Sequence, residues 1–176
     1  MEAPAAVGED APRVATAGAS LSLIVPIRLA LGAVVLAAAL AAGATPRSAL
    51  AGFALGAVIL AFAALADRRS LLLRGARDPE PLPDDALRET RWRVAWRLML
   101  PSTVVVTLLA IVGLAAGSRV LAAILGGGVA GMGVAAAVTW ARLASWERER
   151  GVRLFWEQGG ERRRFVEPRG VRGPTA

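Results

Sequence analysis

Apolar and polar positions in this chain fall in blocks rather than in the short periods of strands or the one-sided stripes of surface helices. The first apolar run covers 21–43 and is interrupted only by Pro26 and Arg28. Three more follow at 49–66, 98–116 and 120–141, none containing a charged residue. Each is close to the roughly 20 residues a helix needs to cross a hydrocarbon layer about 30 Å thick. The pattern predicts an all-α integral membrane protein with four transmembrane helices. Tight turns at 44–48 and 117–119 pair them as two hairpins. A cleavable signal peptide is the competing reading of the first run, with Ala41 to Ala44 as its cleavage site. It requires a basic leader and a shorter apolar region. The leader here carries Glu2, Glu9 and Asp10 against Arg13, so a retained helix is expected.

Charge then orients the bundle. All 21 basic residues are arginines. Eight lie in the 67–97 connection and nine follow residue 141, whereas the two short turns hold one each, Arg47 and Arg119. Cytoplasmic loops carry the excess of basic residues. Both termini and the long connection are therefore expected on the cytoplasmic side of a bacterial inner membrane. Trp92, Trp96, Trp140, Trp146 and Trp156 all belong to that same side, where their rings can sit at headgroup level.

The segments outside the apolar runs divide the remainder. Residues 1–20 are small, proline-containing and weakly acidic, and read as a disordered tail. Residues 78–83 (Asp-Pro-Glu-Pro-Leu-Pro) are too rich in proline for helix and predict an extended linker. Asp84 or Asp85 then offers an N-cap for a helix over 86–96 that lies along the membrane surface before the chain turns in near Pro101. Trp92 and Trp96 share one face of it. The tail from 142 to 176 predicts an amphipathic helix, with Glu147–Arg150 and Glu149–Arg153 pairs, and then disorder beyond Gly159. Arg91, Arg93, Arg97, Trp92, Trp96, Trp140 and Trp146 are the expected interfacial set, contacting anionic lipid headgroups or a protein partner. The triplet Arg162–Arg164 suits headgroups better than nucleic acid, which is not expected as a partner.

Small residues point to where helices meet. Gly52/Gly56 and Gly127/Gly131 are two GxxxG motifs, which let backbones approach closely where lipid offers no hydrophobic drive. A shift of 75 positions superposes Pro26 on Pro101, Gly52 on Gly127 and Gly56 on Gly131. Leu-Ala-Ala-Gly at 40–43 recurs at 114–117, one residue out of register with that shift. The match fits a parallel internal duplication, or chance in a chain with 19 glycines.

The available chemistry is sparse. Lys, His, Cys, Tyr and Asn do not occur. That removes the commonest acid–base catalyst, every thiolate nucleophile, and the commonest metal ligand together with all Cys-based metal sites. A strong GC bias accounts for much of this composition. No run contains Asp, Glu or His, which disfavours a small proton-coupled exporter. Ser102, Thr103 and Thr107 are the polar groups of the third run, without a base for a nucleophile. Arg28, the one ionisable residue inside a run, is expected to snorkel to the headgroups. The resulting expectation is a non-enzymatic accessory, assembly or scaffolding subunit of a membrane complex, without cofactor or metal. The competing reading is an oligomeric small transporter or channel packed through Gly52/Gly56 and Gly127/Gly131. A lipid-headgroup enzyme using Asp78, Asp84 and Asp85 is a third.

The orientation is testable with topology reporters. A periplasm-dependent reporter is silent when fused at residue 80 and active at residues 45 and 118. Activity at 80 overturns the assignment.

Overall fold

The computed structural model describes residues 13–75, 80–83, 86–157 and 164–168, with backbone alone over 67–75 and 98–100. Strand β1 (Arg13–Thr16) leads directly into α1 (Ala17–Ala41), and α2 covers Pro46–Gly75. Two short strands follow, β2 (Glu80–Pro81) and β3 (Leu87–Arg88), and then helix α3 (Arg91–Met99). A π-helical turn (Leu100–Val104) joins α3 to α4 (Val105–Ala115). The long helix α5 (Arg119–Arg150) and strands β4 (Val152–Glu157) and β5 (Arg164–Pro168) complete the described elements. Helices α1, α2 and α5 are long and apolar enough to cross a membrane, and the bent pair around Pro101 makes a fourth if counted as one span.

Helix α5 is the hub. Helices α1, α2 and α4 all pack on it, while α1 and α2 barely touch despite their tight connection. Its sequence explains this, because small residues between Ala122 and Ala136 leave room for backbones on several sides. A Cβ at Gly127 would collide with the carbonyl of Phe53, and one at Gly131 with the carbonyl of Ala57. On the facing helix, a Cβ at Gly56 would strike the carbonyl of Ile124, and one at Gly52 would come 3.1 Å from the Ile124 side chain. The two GxxxG motifs thus face each other across the α2–α5 contact. On another side of α5, a Cβ at Gly126 would meet Val35 of α1 at 2.7 Å.

Both hairpin turns use one device. Gly43 (φ 94°) and Gly117 (φ 77°) adopt the left-handed conformation just past a helix end. The amide of Gly43 donates to the carbonyl of Leu40 and that of Ala44 to Ala39. Gly117 to Leu114 and Ser118 to Gly113 repeat this pattern. These paired bonds satisfy the last helical carbonyls in a Schellman motif. The recurring Leu-Ala-Ala-Gly is therefore a recurring helix stop. Arg119 Nη1 donates to the Gly43 carbonyl at 3.0 Å, tying the two turns together at one end of the bundle.

The opposite end carries what the apolar blocks did not announce. The five strands form one sheet in the order β2-β5-β4-β1-β3. The all-α expectation is corrected by it. β4 pairs antiparallel with both β5 and β1, while β2 and β3 add parallel edges. Alternation gives the sheet two apolar faces. Leu154, Trp156 and Val166 join Leu21, Ile24, Ala95 and Leu143 at the base of the bundle. Val14, Phe155 and Phe165 form the other face, against Leu82 and Ala86. Arg88 lies over the Phe155 ring at 5.5 Å and ion-pairs with Glu167 at 2.8 Å.

Several boundaries move accordingly. The expected disordered tail 1–20 holds β1 and the start of α1. Residues 87–88, expected as helix, pair with Arg13 and Val14 in the sheet, and the helix begins only at Arg91. α5 stops at Gly151 in a left-handed cap, so Arg153 lies in a strand and not in a helix with Glu149. Part of the expected disordered end is β5. Asp78, Asp84, Asp85, Arg162, Arg163 and Gly159 lie outside the described residues, as do the side chains of Asp67, Arg68 and Arg69.

Gly127→Leu places a side chain where the Phe53 backbone lies. It is expected to abolish the folded, monodisperse species in size-exclusion chromatography. Gly117→Ala meets open space and only left-handed strain, about 1 kcal/mol. It should lower the melting temperature by a few degrees and leave the elution profile unchanged.

Candidate functional site

Pro101 has no amide hydrogen and cannot continue the α-helical bonding of its segment. The backbone widens there into the π-helical turn, and the axes of 91–97 and 101–115 diverge by 48°. Such π-bulges recur at functional sites. The turn carries Ser102 and Thr103 directly after the proline.

Both hydroxyls meet Arg28 of α1. Arg28 Nε donates to Thr103 Oγ1 at 3.0 Å, and Nη2 donates to Ser102 Oγ at 3.2 Å. Arg28 is 4% exposed. The snorkelling expectation is corrected, because the guanidinium is held inside the protein by the two hydroxyls of the π-helical turn. Gly133 of α5 makes the room: a Cβ there would lie 3.1 Å from the Arg28 Cβ and 3.3 Å from Leu29. Along α5, Gly133 is two turns from Trp140, roughly 10 Å at 1.5 Å per residue. On the sheet side, Leu21 and Ile24 pack with Ala136, Leu143 and Leu154. One turn beyond Thr103, the Thr107 hydroxyl is buried without a hydrogen-bond partner.

A buried arginine among hydroxyls at a broken helix can do two things. It can hold α1 against the break, and it can attract a negatively charged or carbonyl-bearing group. Nothing in the sequence predicts this contact, although its spacing coincides with the offset of the internal match. Arg28 and Thr103 are 75 positions apart, the same offset that superposes Pro26 on Pro101.

The other predicted residues divide between two helices. On α3, Val94 and Ala95 are buried while Arg91, Trp92, Arg93, Trp96 and Arg97 are exposed. The Trp92 and Trp96 rings meet edge to face, with centroids 5.4 Å apart and planes at 85°. On α5, Trp140 is exposed, whereas Trp146 is partly buried in the cluster at the bundle base. The Arg150 guanidinium lies over the Trp146 ring at 4.7 Å. Glu147, one turn before the end of α5, is buried and accepts the Leu154 amide at 2.9 Å, fastening β4 to the helix. Sequence reasoning had assigned Glu147 to a surface pair, since nothing in its spacing distinguishes an acceptor for a strand amide. On β5, burial lowers the Arg164 guanidinium from its ordinary range.

Comparison with protein-family models, curated proteins and solved structures finds no match to this chain. Fold and site together define a helical membrane bundle with a β-sheet cap at one end and a buried arginine at the break of one helix.

The bond network predicts a non-additive pair of substitutions. Thr103→Val removes an acceptor from a buried cation and should destabilise the protein by about 1–3 kcal/mol. Arg28→Met keeps the stem and removes the charge, so it should be close to neutral or stabilising. In the Arg28→Met background, Thr103→Val should cost little. Melting in detergent measures all three, and an equal loss in both backgrounds would show that the bond carries no weight.

Proposed function

We propose that the chain is a non-enzymatic accessory or scaffolding subunit of a membrane complex, with four helical passes and both termini in the cytoplasm of a bacterial cell. The sheet cap is the observation that carries this reading. Its strands come from before α1, from between α2 and α3, and from after α5. Segments joined in one sheet lie on one side of a membrane, so an even number of passes separates each from the next. The turn after α4 lies beside Gly43 at the far end of the bundle, which supports counting the bent segment as a pass. The excess of basic residues in 67–97 and in the tail supports a cytoplasmic cap. A cap built from strands of three separate segments and seated on the helices is a platform fixed relative to the bilayer, suited to holding another subunit.

The transport reading is favoured by a different observation, the arginine at the broken helix. Broken spans with buried polar groups are a common construction for substrate sites in transporters. The glycines first offered for oligomer contact lie instead between α2 and α5 of one chain. Gly52→Leu and Gly127→Leu would therefore report folding rather than flux.

A photo-crosslinking residue at Leu87, exposed on edge strand β3, is expected to capture one stoichiometric protein partner in native membranes. The same residue at Phe62, exposed on α2, should capture lipid. A lone monodisperse monomer and no adduct at Leu87 would overturn the scaffold role. Anion flux in liposomes that disappears with Arg28→Met, the fold intact, would establish the transporter.

A further inference from the structure

Helix α3 divides into three sectors. At 3.6 residues per turn, the buried pair Val94/Ala95, the pair Trp92/Trp96 and the pair Arg93/Arg97 point in directions roughly 100–130° apart. The first sector is the contact with α1 and the bundle base. The second is an exposed aromatic stripe, with Trp92 at 50% and Trp96 at 39% exposure. The third is exposed and cationic. Glu89 reaches it only at 4.0 Å from Arg97, too long for a hydrogen bond.

The surroundings set the depth at which these sectors lie. The Glu89 amide, two residues before α3, is bonded to the Val14 carbonyl of the sheet, and the 48° bend carries α3 away from the axis of α4. The helix therefore runs obliquely at the level where bundle and sheet meet. An indole stripe there suits the boundary between acyl chains and headgroups, and a neighbouring guanidinium stripe suits phosphate.

We propose that Arg93 and Arg97 of α3 form a binding site for the phosphate of an anionic phospholipid, with Trp92 and Trp96 seated beside its acyl chains. The occupant follows from charge complementarity and from continuity with the lipid-facing surface. Two guanidiniums four residues apart can grip one phosphodiester from two sides. Each is expected to enrich the anionic lipid about fivefold near the surface. Arg91 belongs to the first turn and falls by angle in the α1-facing sector, so it contributes charge but no grip. This inference rests on the membrane reading alone, and loss of the scaffold role would leave it standing.

The full chain in phosphatidylcholine nanodiscs tests it through tryptophan fluorescence. Brominated phosphatidylglycerol and brominated phosphatidylcholine are compared at equal mole fraction, and Trp92→Phe/Trp96→Phe isolates the signal from α3. The α3 signal is expected to be quenched at least about twofold more by the brominated glycerol lipid. Arg93→Gln/Arg97→Gln should remove the excess, and Arg91→Gln should keep most of it. Equal quenching by both lipids, no quenching by either, or an excess that survives the double substitution overturns the proposal. Should the double variant fail to fold, salt is the alternative lever in the unsubstituted protein. About 1 M salt shortens the screening length to roughly 3 Å. The excess should collapse there, and an excess that persists overturns the site.

Discussion

Everything in the bundle depends on how closely the backbone of α5 can be approached. Between helices in lipid there is little hydrophobic gain, because acyl chains are as apolar as leucine. Attraction must come from dispersion and weak polar contacts, both of which need short distances. At Gly127 and Gly131 even a methyl group would enter the carbonyls of α2, so contact there is backbone on backbone. Larger residues then face outward, as Phe62, Val58 and Ile59 do on α2. The two sides of α2 thus have opposite compositions for one reason.

Arg28 is the cost that this packing accommodates. A guanidinium at depth is disfavoured by about 2.5–3.5 kcal/mol on insertion scales. Two hydroxyl acceptors on the π-helical turn offset part of it, and that turn exists because Pro101 interrupts the helix. A straight helix in this place would keep its own backbone bonds and direct its side chains on a regular spiral. The break, the two hydroxyls behind it and the glycine opposite are parts of one arrangement, since removing the charge makes the other three unnecessary.

The helical passes were legible in the sequence because run length is a strong signal, and their glycine contacts because GxxxG carries its own geometry. The cap was not. Its strands are two to six residues long and drawn from three distant segments. Val14, Phe155 and Phe165 acquire their common face only once those segments are paired. In isolation, Glu-Pro at 80–81 reads as linker and Val152 to Glu157 as a helical continuation. Gly151 was the one local hint, a glycine that stops α5 with φ 64°. Trp146 and Trp156 were read as headgroup anchors because tryptophan is common there, yet both line the seam between cap and bundle.

The 75-residue offset deserves a physical reading beyond a sequence match. The two hairpins share a helix stop of the same bond pattern, one residue out of register with that offset, and positions 28 and 103, matched by the offset, touch each other. The equivalence fails further along, because α5 lies at the centre and α2 at the edge, although both carry GxxxG. The extra glycines at 126, 128 and 133 mark the difference, since they open α5 to α1 as well as to α2. Helix α5 alone is the core, with α1, α2 and α4 packed around it, and the arginine sits between α1 and the turn that leads into α4.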